Sequence, residues 1–570
     1  MKSIHFTAAT ALLSRLGSAY KWPDPNFDEI EDVYALQQGY AARDFAINVM
    51  PCVEGGDGEQ HAATWLRSSF HDFFAYNAAE GTGGIDASIF FEVHMPGNDN
   101  NLDFNDTYIN FKPFHSTRVS ASDLVALSVV TLHSACGGTT KIPYRYGRID
   151  ADQASQFELP STSESIESLK DKFAKAGFNH TEMIALVACG HTLGGIHPPG
   201  EEETEPDDGH QGEDETEDHD DEEEHEEEEE HEEEEEHGPD HVEIPHIVFD
   251  STSQTFDNQI AIEYLDGTTQ NPLVIGENAT TNSDLRVFSS DGNKTITELA
   301  SSFETFESRC SKLFSRMIDS VPRTVTLSEE LQVIDLKPYV ELALDSAGQY
   351  HFTGRVRIRT TPGAGIIDDL WDFEVSIGYA DRDGVWSNFR APAWYAGDAY
   401  GLYGESFAFF EFETLLSSKG ISKFNIETSV PSTGEKILYD NEGGDYPMED
   451  SIIYEKRQSC VSRTIVNSKR DMTVTVAVHQ NRTSEPVMLH FVRPEARDGT
   501  VVPRLRTEII EMEKTTQRKG NYVIYKTPLS LGVNLWRTSL DIVQRGDNPV
   551  KLEFLRTERC PEVDDDDRNA

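Results

Sequence analysis

Two short stretches, RSSFHD at residues 67–72 and CGHT at residues 189–192, decide the predicted fold. Each places a histidine, His71 or His191, in a segment whose apolar residues recur at helical spacing. Arg67 and His71 are four residues apart, so both side chains reach one site from the same face of a helix. Two antiparallel helices of this kind would face each other across a flat cofactor.

Further segments with helical spacing surround this pair and extend to about residue 320. The pattern predicts helices over 28–50, 59–77, 122–134, 163–176, 181–193, 256–265 and 296–320. Ser120 or Ser122 is the predicted cap of the helix at 122–134, and Asn179 or Thr181 that of the helix at 181–193. The first 320 residues are therefore predicted to be mainly helical.

The periodicity changes from helical to alternating after about residue 321. Alternating segments are separated by Gly, Asn, Asp and Pro turns, at residues 350–360, 371–379, 407–414, 472–479, 487–492, 522–525 and 550–555. This pattern predicts antiparallel sheet in one sandwich or two. The predicted fold class is a multidomain protein, in which a mainly α-helical domain is followed by an all-β region.

The chain is strongly acidic, and the acidity is concentrated in one segment. The net charge is −54, and 27 of the 102 acidic residues lie in 201–240, which has no Lys or Arg. Like charges at this density repel each other, so residues 200–240 are predicted to be a disordered, solvated loop. Cation binding is the alternative, through His210, His219, His225, His231 and His237. The acidity argues against nucleic-acid binding, which relies on Lys and Arg.

Several features favour secretion. Residues 1–19 have the pattern of a signal peptide, with a basic start, an apolar core at 6–13 and a small-residue cleavage site at 17–19; a structural helix is the alternative. Asn-x-Ser/Thr triplets are candidate glycosylation acceptors at Asn105, Asn179, Asn278, Asn293 and Asn481. Six cysteines allow up to three disulfides in an oxidising compartment. No apolar run is long enough to predict a membrane span.

The two histidine stretches contain the groups that peroxide cleavage on a haem iron requires. A neutral imidazole above the iron takes a proton from hydrogen peroxide and returns it to the departing oxygen, as His71 would do. The guanidinium of Arg67 would stabilise the developing negative charge. Below the iron, a histidine ligand becomes electron-rich when a carboxylate accepts its other ring N–H. Taken alone, His191 would equally be a core or helix-end histidine.

Several motifs, in the same order, resemble the plant-type haem peroxidase superfamily and most closely its secreted fungal class, which includes lignin and manganese peroxidases. The resemblance covers residues 25–320 and rests on the segments at 67–72, 83–88, 189–192, 249–257 and 283–284. It implies a haem peroxidase domain over residues 20–320, with the acidic segment inserted at 200–240. Residues 321–455 and 456–570 are then two β-rich domains or two halves of one.

The resemblance also implies roles for single residues. His191 would be the axial ligand of a haem b iron, and Asp284 its hydrogen-bond partner. The implied catalytic residues are His71 as general acid and base, Arg67 as charge stabiliser, Phe70 packed over the haem, and Asn98, which would orient His71.

Two calcium sites are implied as well, one beside each histidine helix. Their residues are mainly oxygen donors at alternating positions, which is what Ca²⁺ takes, although each Asp alone would equally be a turn or cap residue. The distal ligands would be Asp72, Gly84, Asp86 and Ser88. The proximal ligands would be Thr192, Asp250, Thr252, Thr255 through its carbonyl oxygen, and Asp257.

The cysteines and two departures from the family pattern complete the expectations. Cys52 and Cys136 resemble one family disulfide, and Cys310 resembles half of another; Cys189 is expected to be free and buried, and Cys460 and Cys560 to close a loop in the β region. The usual Mn²⁺ carboxylates are replaced by Gln60, Thr64 and His197, with Glu59 one position away, and Leu186 stands near the surface tryptophan of lignin peroxidases. Neither of those two routes is expected.

The resemblance implies a secreted haem peroxidase that reduces hydrogen peroxide and oxidises small phenolic or aromatic donors through a ferryl intermediate. The alternative is a catalytically silent peroxidase-fold protein with a binding or cell-surface role, in which the β region carries the function. For that region, carbohydrate or wall binding and plain packing or dimerisation are both open. Exposure of Trp386 or Trp394 would favour the first.

Overall fold

The computed structural model describes residues 20–54, 60–95, 98, 103–155, 159–196, 247–367, 369–532, 537–546 and 548–561. The predicted signal peptide at 1–19 and the acidic insert at 200–240 lie outside these residues. Within the described ranges, no helix is long and apolar enough to cross a membrane.

The first part of the chain is helical, as predicted. Its helices are α1 (Asp28–Ala35), α2 (His61–Phe74), α3 (Asp103–Phe111), α4 (Ala121–Ala135), α5 (Ile166–Lys175), α6 (His180–Gly190), α7 (Gln259–Asp266), α8 (Pro272–Ile275), α9 (Ser283–Ser289), α10 (Lys294–Ala300) and α11 (Phe303–Ile318). Ser120 caps α4 by accepting a 3.0 Å hydrogen bond from the Asp123 N–H. Asn179 caps α6 in a capping box with Glu182.

Two of the predicted helices are shorter in the structure than the sequence predicts. The helix expected over 28–50 ends at Ala35, because the next residues pair with the β region as strand β1 (Gln38–Gly39). Gly39 has φ +89°, and a Cβ there would clash with the Asp398 carbonyl oxygen, so the close strand approach requires glycine. The helix expected over 296–320 is two helices, α10 and α11, because Ser302 starts a new capped turn.

The second part of the chain is antiparallel sheet. Two short strands, β2 (Gly195–Ile196) and β3 (Ile247–Val248), pair within the helical part. The others are β4 (Leu336–Leu344), β5 (Tyr350–Arg359), β6 (Glu374–Ala380), β7 (Ala391–Tyr400), β8 (Ser406–Leu416), β9 (Lys423–Val430), β10 (Glu435–Tyr439), β11 (Tyr446–Pro447), β12 (Ile452–Tyr454), β13 (Lys469–His479), β14 (Val487–Arg497), β15 (Thr500–Glu511), β16 (Glu513–Lys519), β17 (Tyr522–Gly532), β18 (Ser539–Gln544) and β19 (Val550–Arg556).

Apart from β2 and β3, the strands form three sheets that pack against one another. The first has the order β10-β9-β6-β7-β8-β5-β4, with β1 pairing with β7 and β11 with β9. The second, β12-β13-β17-β16, packs its Val474, Val476 and Val478 against the third, β15-β14-β18-β19. On its other face, Ala477 and Ile524 pack against the first sheet. Since β12 pairs with β13, the sandwich begins slightly before the predicted boundary at 456.

Strand β8 connects the helical part to the first sheet, because each of its two faces packs into a different hydrophobic core. Phe407 and Phe409 belong to the hydrophobic core of the helices. Ala408, Phe410 and Phe412 alternate with them and belong to the core of the first sheet. The first sheet therefore packs against the helices, and the sandwich contacts both, since its second sheet packs on the first sheet and β15 contacts α3.

Three disulfides lie in the described part: Cys52–Cys136, Cys189–Cys310 and Cys460–Cys560. The expectation that Cys189 is free is wrong, because α6 and α11 pack against each other and bring Cys310 to it. Cys189 is fully buried, as expected.

Candidate active site

Helix α2 supplies the distal side of the site. The Nδ1 atom of His71 lies 2.7 Å from Oδ1 of Asn98, and the Asn98 side-chain NH₂ donates to the Glu92 carbonyl oxygen at 2.8 Å. An amide oxygen only accepts, so His71 carries its proton on Nδ1 and its Nε2 is left with a lone pair. Burial, with the positive charge of Arg67, lowers the pKa of His71 to about 3. The imidazole is therefore neutral at working pH.

A phenylalanine that the sequence did not single out lies beside this pair. The Arg67 guanidinium carbon is 5.6 Å from the centre of the Phe104 ring, and the His71 ring is 5.3 Å from it. Phe104 is fully buried. Phe70 is half-buried and packs against Phe74 at 5.3 Å. Phe104 is the second residue of α3, distant in sequence from the motif on α2, and no motif marks it.

The proximal side is built at the end of α6. His191 is the C-cap residue, directly after the helix, and its Nδ1 lies 2.8 Å from Oδ2 of Asp284. Asp284 is 1% exposed and also accepts a 2.8 Å hydrogen bond from the Asn271 side-chain NH₂. The Phe249 ring stacks on the His191 ring at 4.4 Å. With Nδ1 engaged by a carboxylate, the Nε2 lone pair of His191 is available to a metal.

Sequence reasoning missed Asn271 and gave Phe249 no role. Asn271 precedes Pro272 and accepts from the Leu273 N–H at 2.8 Å, so it caps the short helix α8 while its NH₂ group fixes Asp284. The Asn-Pro pair is a turn signal that marks the position but not its partner.

The predicted distal calcium residues lie together around the end of α2. Asp72 is fully buried, and its two oxygens accept from the backbone N–H groups of Asp86, Ala87 and Ile89 at 2.9–3.1 Å. The Ser88 hydroxyl donates to Asp72 Oδ1 at 3.4 Å. Burial raises the pKa of Asp72 well above its usual value, as do the charges of Asp86 and Glu92. Within the described residues, no Lys or Arg forms an ion pair with Asp72 or Asp86.

Gly84, the fourth predicted distal residue, lies in the same loop with φ +102°. A Cβ there would clash with the carbonyl oxygen of Ser320, which accepts from the Ile85 N–H at 2.8 Å. Only glycine fits this close approach of the loop to the end of α11 without strain.

The predicted proximal calcium residues form a second cluster beside His191. The Thr192 hydroxyl donates to the Asp257 carbonyl oxygen at 2.7 Å, and the Thr252 hydroxyl to Asp257 Oδ1 at 3.1 Å. Oδ2 of Asp250 is buried and has no hydrogen-bond partner among the residues that the structure describes. Burial raises the pKa of Asp250 to about 7, and the charge of Asp257 adds to this rise.

The remaining predicted residues have mixed outcomes. The Thr255 N–H donates to the Thr252 carbonyl oxygen at 2.7 Å, so Thr255 lies in the proximal loop. Gln60 is buried, and its NH₂ group is 3.5 Å from the Cys52 sulfur. Glu59 and His197 lie outside the described residues.

In the part of the chain that the structure describes, no three His, Cys, Asp or Glu side chains are grouped to hold a metal. Both clusters instead mix carboxylates with hydroxyl and backbone oxygens.

Comparisons with known proteins agree with this arrangement. A model of the peroxidase family matches residues 54–304. The chain is 32% identical over 522 residues to a WSC domain-containing protein of Arthroderma benhamiae. The aligned region covers 90% of this chain and 63% of that protein. The chain is 36% identical over 138 residues to peroxisomal L-ascorbate peroxidase 5 of Arabidopsis thaliana, covering 24% of this chain and 48% of that protein.

A mitochondrial cytochrome c peroxidase of Cryptococcus neoformans is 32% identical over 149 residues, covering 25% of this chain and 39% of that protein. The chain thus spans less than two thirds of the length of each of these relatives. Their names do not decide the subclass, so the secreted fungal class stays a prediction. The family match contains both histidine stretches, and residues 54–304 form a peroxidase domain of the plant-type haem peroxidase superfamily.

Proposed function

We propose that this protein is a secreted haem peroxidase that reduces hydrogen peroxide and oxidises small phenolic or aromatic donors. One observation carries the proposal: both histidines engage Nδ1, His71 with Asn98 at 2.7 Å and His191 with Asp284 at 2.8 Å. Each Nε2 is then free, one as a base and one as a metal ligand. A pair of core histidines has no structural need for this arrangement.

The residues fit a haem b group between α2 and α6. His191 would hold the iron, and the bound haem supplies the redox chemistry that no side chain here can perform. Asp284 makes His191 a stronger electron donor. With haem bound, the Nε2 atom of His71 would take a proton from peroxide and return it to the departing oxygen, and Arg67 would stabilise the negative charge. Asn98 fixes the His71 tautomer, and Phe70 would pack over the haem.

The absorption spectrum with peroxide tests this proposal. The purified chain loaded with haem is expected to show a Soret band that shifts on adding peroxide and returns with a phenolic donor. His191→Ala is expected to lose the band's native position, and His71→Leu to keep the band but lose the shift. Asn48→Leu is a matched control, because Asn48 is exposed on a separate loop, where its side-chain NH₂ donates to Asn110. A chain that takes up no haem would refute the proposal.

We propose that both oxygen clusters bind calcium. The support is a buried oxygen of Asp250 without a hydrogen-bond partner, and two groups of carboxylates without an ion pair to Lys or Arg, within the described part of the chain. Oxygen donors of this kind suit Ca²⁺. Removal of the metal with EGTA is expected to lower the unfolding midpoint, and calcium is expected to restore it. Asp250→Asn should reduce the calcium content by one ion per chain. Unchanged metal content in that variant would count against the proximal site.

Secretion, glycosylation and the domain limits at 20–320, 321–455 and 456–570 belong to the same proposal. Three disulfides suit an oxidising compartment, and Asn278 and Asn481 are exposed glycan acceptors. Expression in a secreting host should give a glycosylated protein whose N-terminus begins near residue 20. Retention inside the cell without glycans would contradict it.

A second candidate function is favoured by the β region. Trp394 on β7 is 52% exposed and Trp386 is 38% exposed, and the similarity to the WSC domain-containing protein covers 90% of the chain. Exposed tryptophans can stack on sugar rings, so we propose carbohydrate binding by the β region, with or without catalysis. The chain should co-sediment with insoluble chitin or β-glucan, and Trp386→Ala with Trp394→Ala should abolish this. Leu438→Ala, which removes an exposed apolar side chain on β10, is the control and should bind like the parent.

A further inference from the structure

A cleft between the helical part and the sandwich gathers arginines in an otherwise acidic molecule. Its volume is about 490 Å³, and its walls are the loop at 115–120, the segment at 146–152 and the hairpin between β14 and β15. This volume is within the range of small-molecule sites, roughly 300–1,000 Å³. Arg118, Arg148, Arg497 and Arg504 line it, with Asp123, Asp150, Asp152 and His115.

Most of the negative charge in the cleft is already engaged. Asp123 forms a buried ion pair with Arg148 at 2.9 Å. Asp150 accepts from the N–H groups of Ala121 and Ser122, at the N-terminus of α4, at 3.0 and 2.8 Å. His115 lies 3.5 Å from the same carboxylate. Asp152 is the remaining carboxylate of the lining, and it is exposed.

Two of the arginines form no ion pair with any residue that the structure describes. Arg497 is held over the Phe91 ring at 4.6 Å and donates from Nε to the Val502 carbonyl oxygen at 3.1 Å. Arg504, on the neighbouring strand, makes no ion pair or side-chain hydrogen bond with any described residue. Burial lowers the pKa of Arg497 and the nearby charge of Arg504 lowers it further, whereas the charges of Asp150 and Asp152 act in the opposite direction. The two like charges therefore lie close together.

Arg118 stands on another wall of the cleft. Its guanidinium stacks on Phe554 at 4.4 Å, and the Glu553 carboxylate is 3.9 Å away, so its donors are only weakly engaged. The chain has 102 acidic and 48 basic residues, so a carboxylate partner is available for almost any arginine. Three arginines that converge on one cavity with so little pairing are an arrangement that a bound anion would stabilise.

We propose that this cleft binds a small organic anion carrying at least two carboxylate or phosphate groups, held by Arg497, Arg504 and Arg118. Guanidinium groups bind both chemistries through paired N–H donors. Contacts from two walls favour a ligand that is charged at both ends. The site is separate from the two histidines and needs neither haem nor peroxide.

Isothermal titration calorimetry on the full chain tests the proposal, with succinate and fructose 1,6-bisphosphate as probes at constant ionic strength. One site per chain is expected. Arg497→Gln and Arg504→Gln should each weaken binding about tenfold or more, because each removes charge-assisted hydrogen bonds. The control is Arg506→Gln, an exposed arginine on the same strand that pairs with Glu495 at 3.2 Å outside the cleft; it should bind like the parent.

The two probes separate the two sources of negative charge. Binding of succinate alone identifies a polycarboxylate site, and binding of fructose 1,6-bisphosphate alone identifies an organic phosphate site. Arg504→Glu provides a variant whose folding is not at issue, because Arg504 is exposed, and it should eliminate binding. Failure of the parent chain to bind either probe, or equal binding by Arg504→Glu and the parent, would overturn the proposal.

Discussion

The joint between the helices and the first sheet contains a buried group of charges, and neutralising one of them should cost several kcal/mol of stability. Glu31 and Asp32 of α1 meet Lys337 of β4 and Arg357 of β5. Lys337 is 1% exposed and Arg357 is fully buried. The Lys337 ammonium lies 3.0 Å from Glu31 and 2.9 Å from Asp32, and donates to the Asp28 carbonyl oxygen at 2.7 Å. The perturbation is Lys337→Met, which removes the charge and keeps an unbranched side chain only one atom shorter.

The magnitude follows from what remains after the substitution. Two buried carboxylates would share the single cation Arg357, so one negative charge would lack a partner. Breaking a buried ion pair by removing one member costs about 3–5 kcal/mol. Exposed pairs contribute about 0–1 kcal/mol. Lys436 provides that comparison, because its ammonium is also 3.0 Å from a glutamate, Glu427, while its side chain is 64% exposed.

Urea unfolding, followed by tryptophan fluorescence and circular dichroism, measures the difference in the free energy of unfolding. Lys337→Met is expected to lose about 3–5 kcal/mol and Lys436→Met less than about 1 kcal/mol. Adding Asp32→Asn to Lys337→Met removes one charge of each sign, so the double variant should lose less than the sum of the two single losses. If Lys337→Met loses no more than Lys436→Met, the reasoning is refuted.

Three further predictions concern the site and the helical core. Asp284→Asn should keep haem but raise the reduction potential of the iron and slow the reaction with peroxide about tenfold or more, measured by spectroelectrochemistry and stopped flow. Burial lowers the pKa of His133 to about 4, so on acidification this histidine is protonated in the unfolded chain before it is protonated in the folded one. The free energy of unfolding should therefore fall by up to about 3 kcal/mol between roughly pH 6.5 and 4. His133→Gln should remove that part of the pH dependence, measured by urea titrations. Replacing both Cys189 and Cys310 by Ala should cost about 2–5 kcal/mol, measured by the same urea titration, with equal stability as the contrary result.

The parts of the structure that the sequence predicted are those with local signals. The helix that carries Arg67 and His71, the capping box at Asn179 and the alternating strands all depend on residues within a few positions of each other. Order along the chain was enough to associate Asp284 with His191 through resemblance to a family. Their 2.8 Å contact agrees with that pairing.

The features that were missed depend on contacts between distant segments. The helix expected to reach residue 50 ends at Ala35 because the Gln37 N–H donates to the Tyr400 carbonyl oxygen, more than 350 positions away. Cys189 could be paired only once α6 and α11 were known to be neighbours. Phe104 and Asn271 have ordinary local settings, and their importance lies in which rings and carboxylates they touch. Hydrophobic periodicity carries no information on such contacts.

A turn of the β region also makes contacts with distant segments, inside the peroxidase domain. Tyr403, between β7 and β8, adopts a left-handed backbone conformation with φ 54° and enters the helical part. Its hydroxyl lies 3.1 Å from Nδ1 of His133 and donates to the Val130 carbonyl oxygen at 3.2 Å. The His133 ring in turn packs on Phe256 at 4.6 Å, in the proximal loop.

A non-glycine residue in that conformation costs about 1–3 kcal/mol and persists only where surrounding contacts compensate for it. Here the compensating contacts belong to the helices, while the strained residue belongs to the sheet. Strand β8 likewise belongs to the sheet, while its Phe407 and Phe409 lie in the hydrophobic core of the helices. A chain cut after residue 320 would lose these rings and leave Glu31 and Asp32 without their buried cations. The sheet next to the helices is therefore part of what holds the proximal loop in place, whatever else the β region binds.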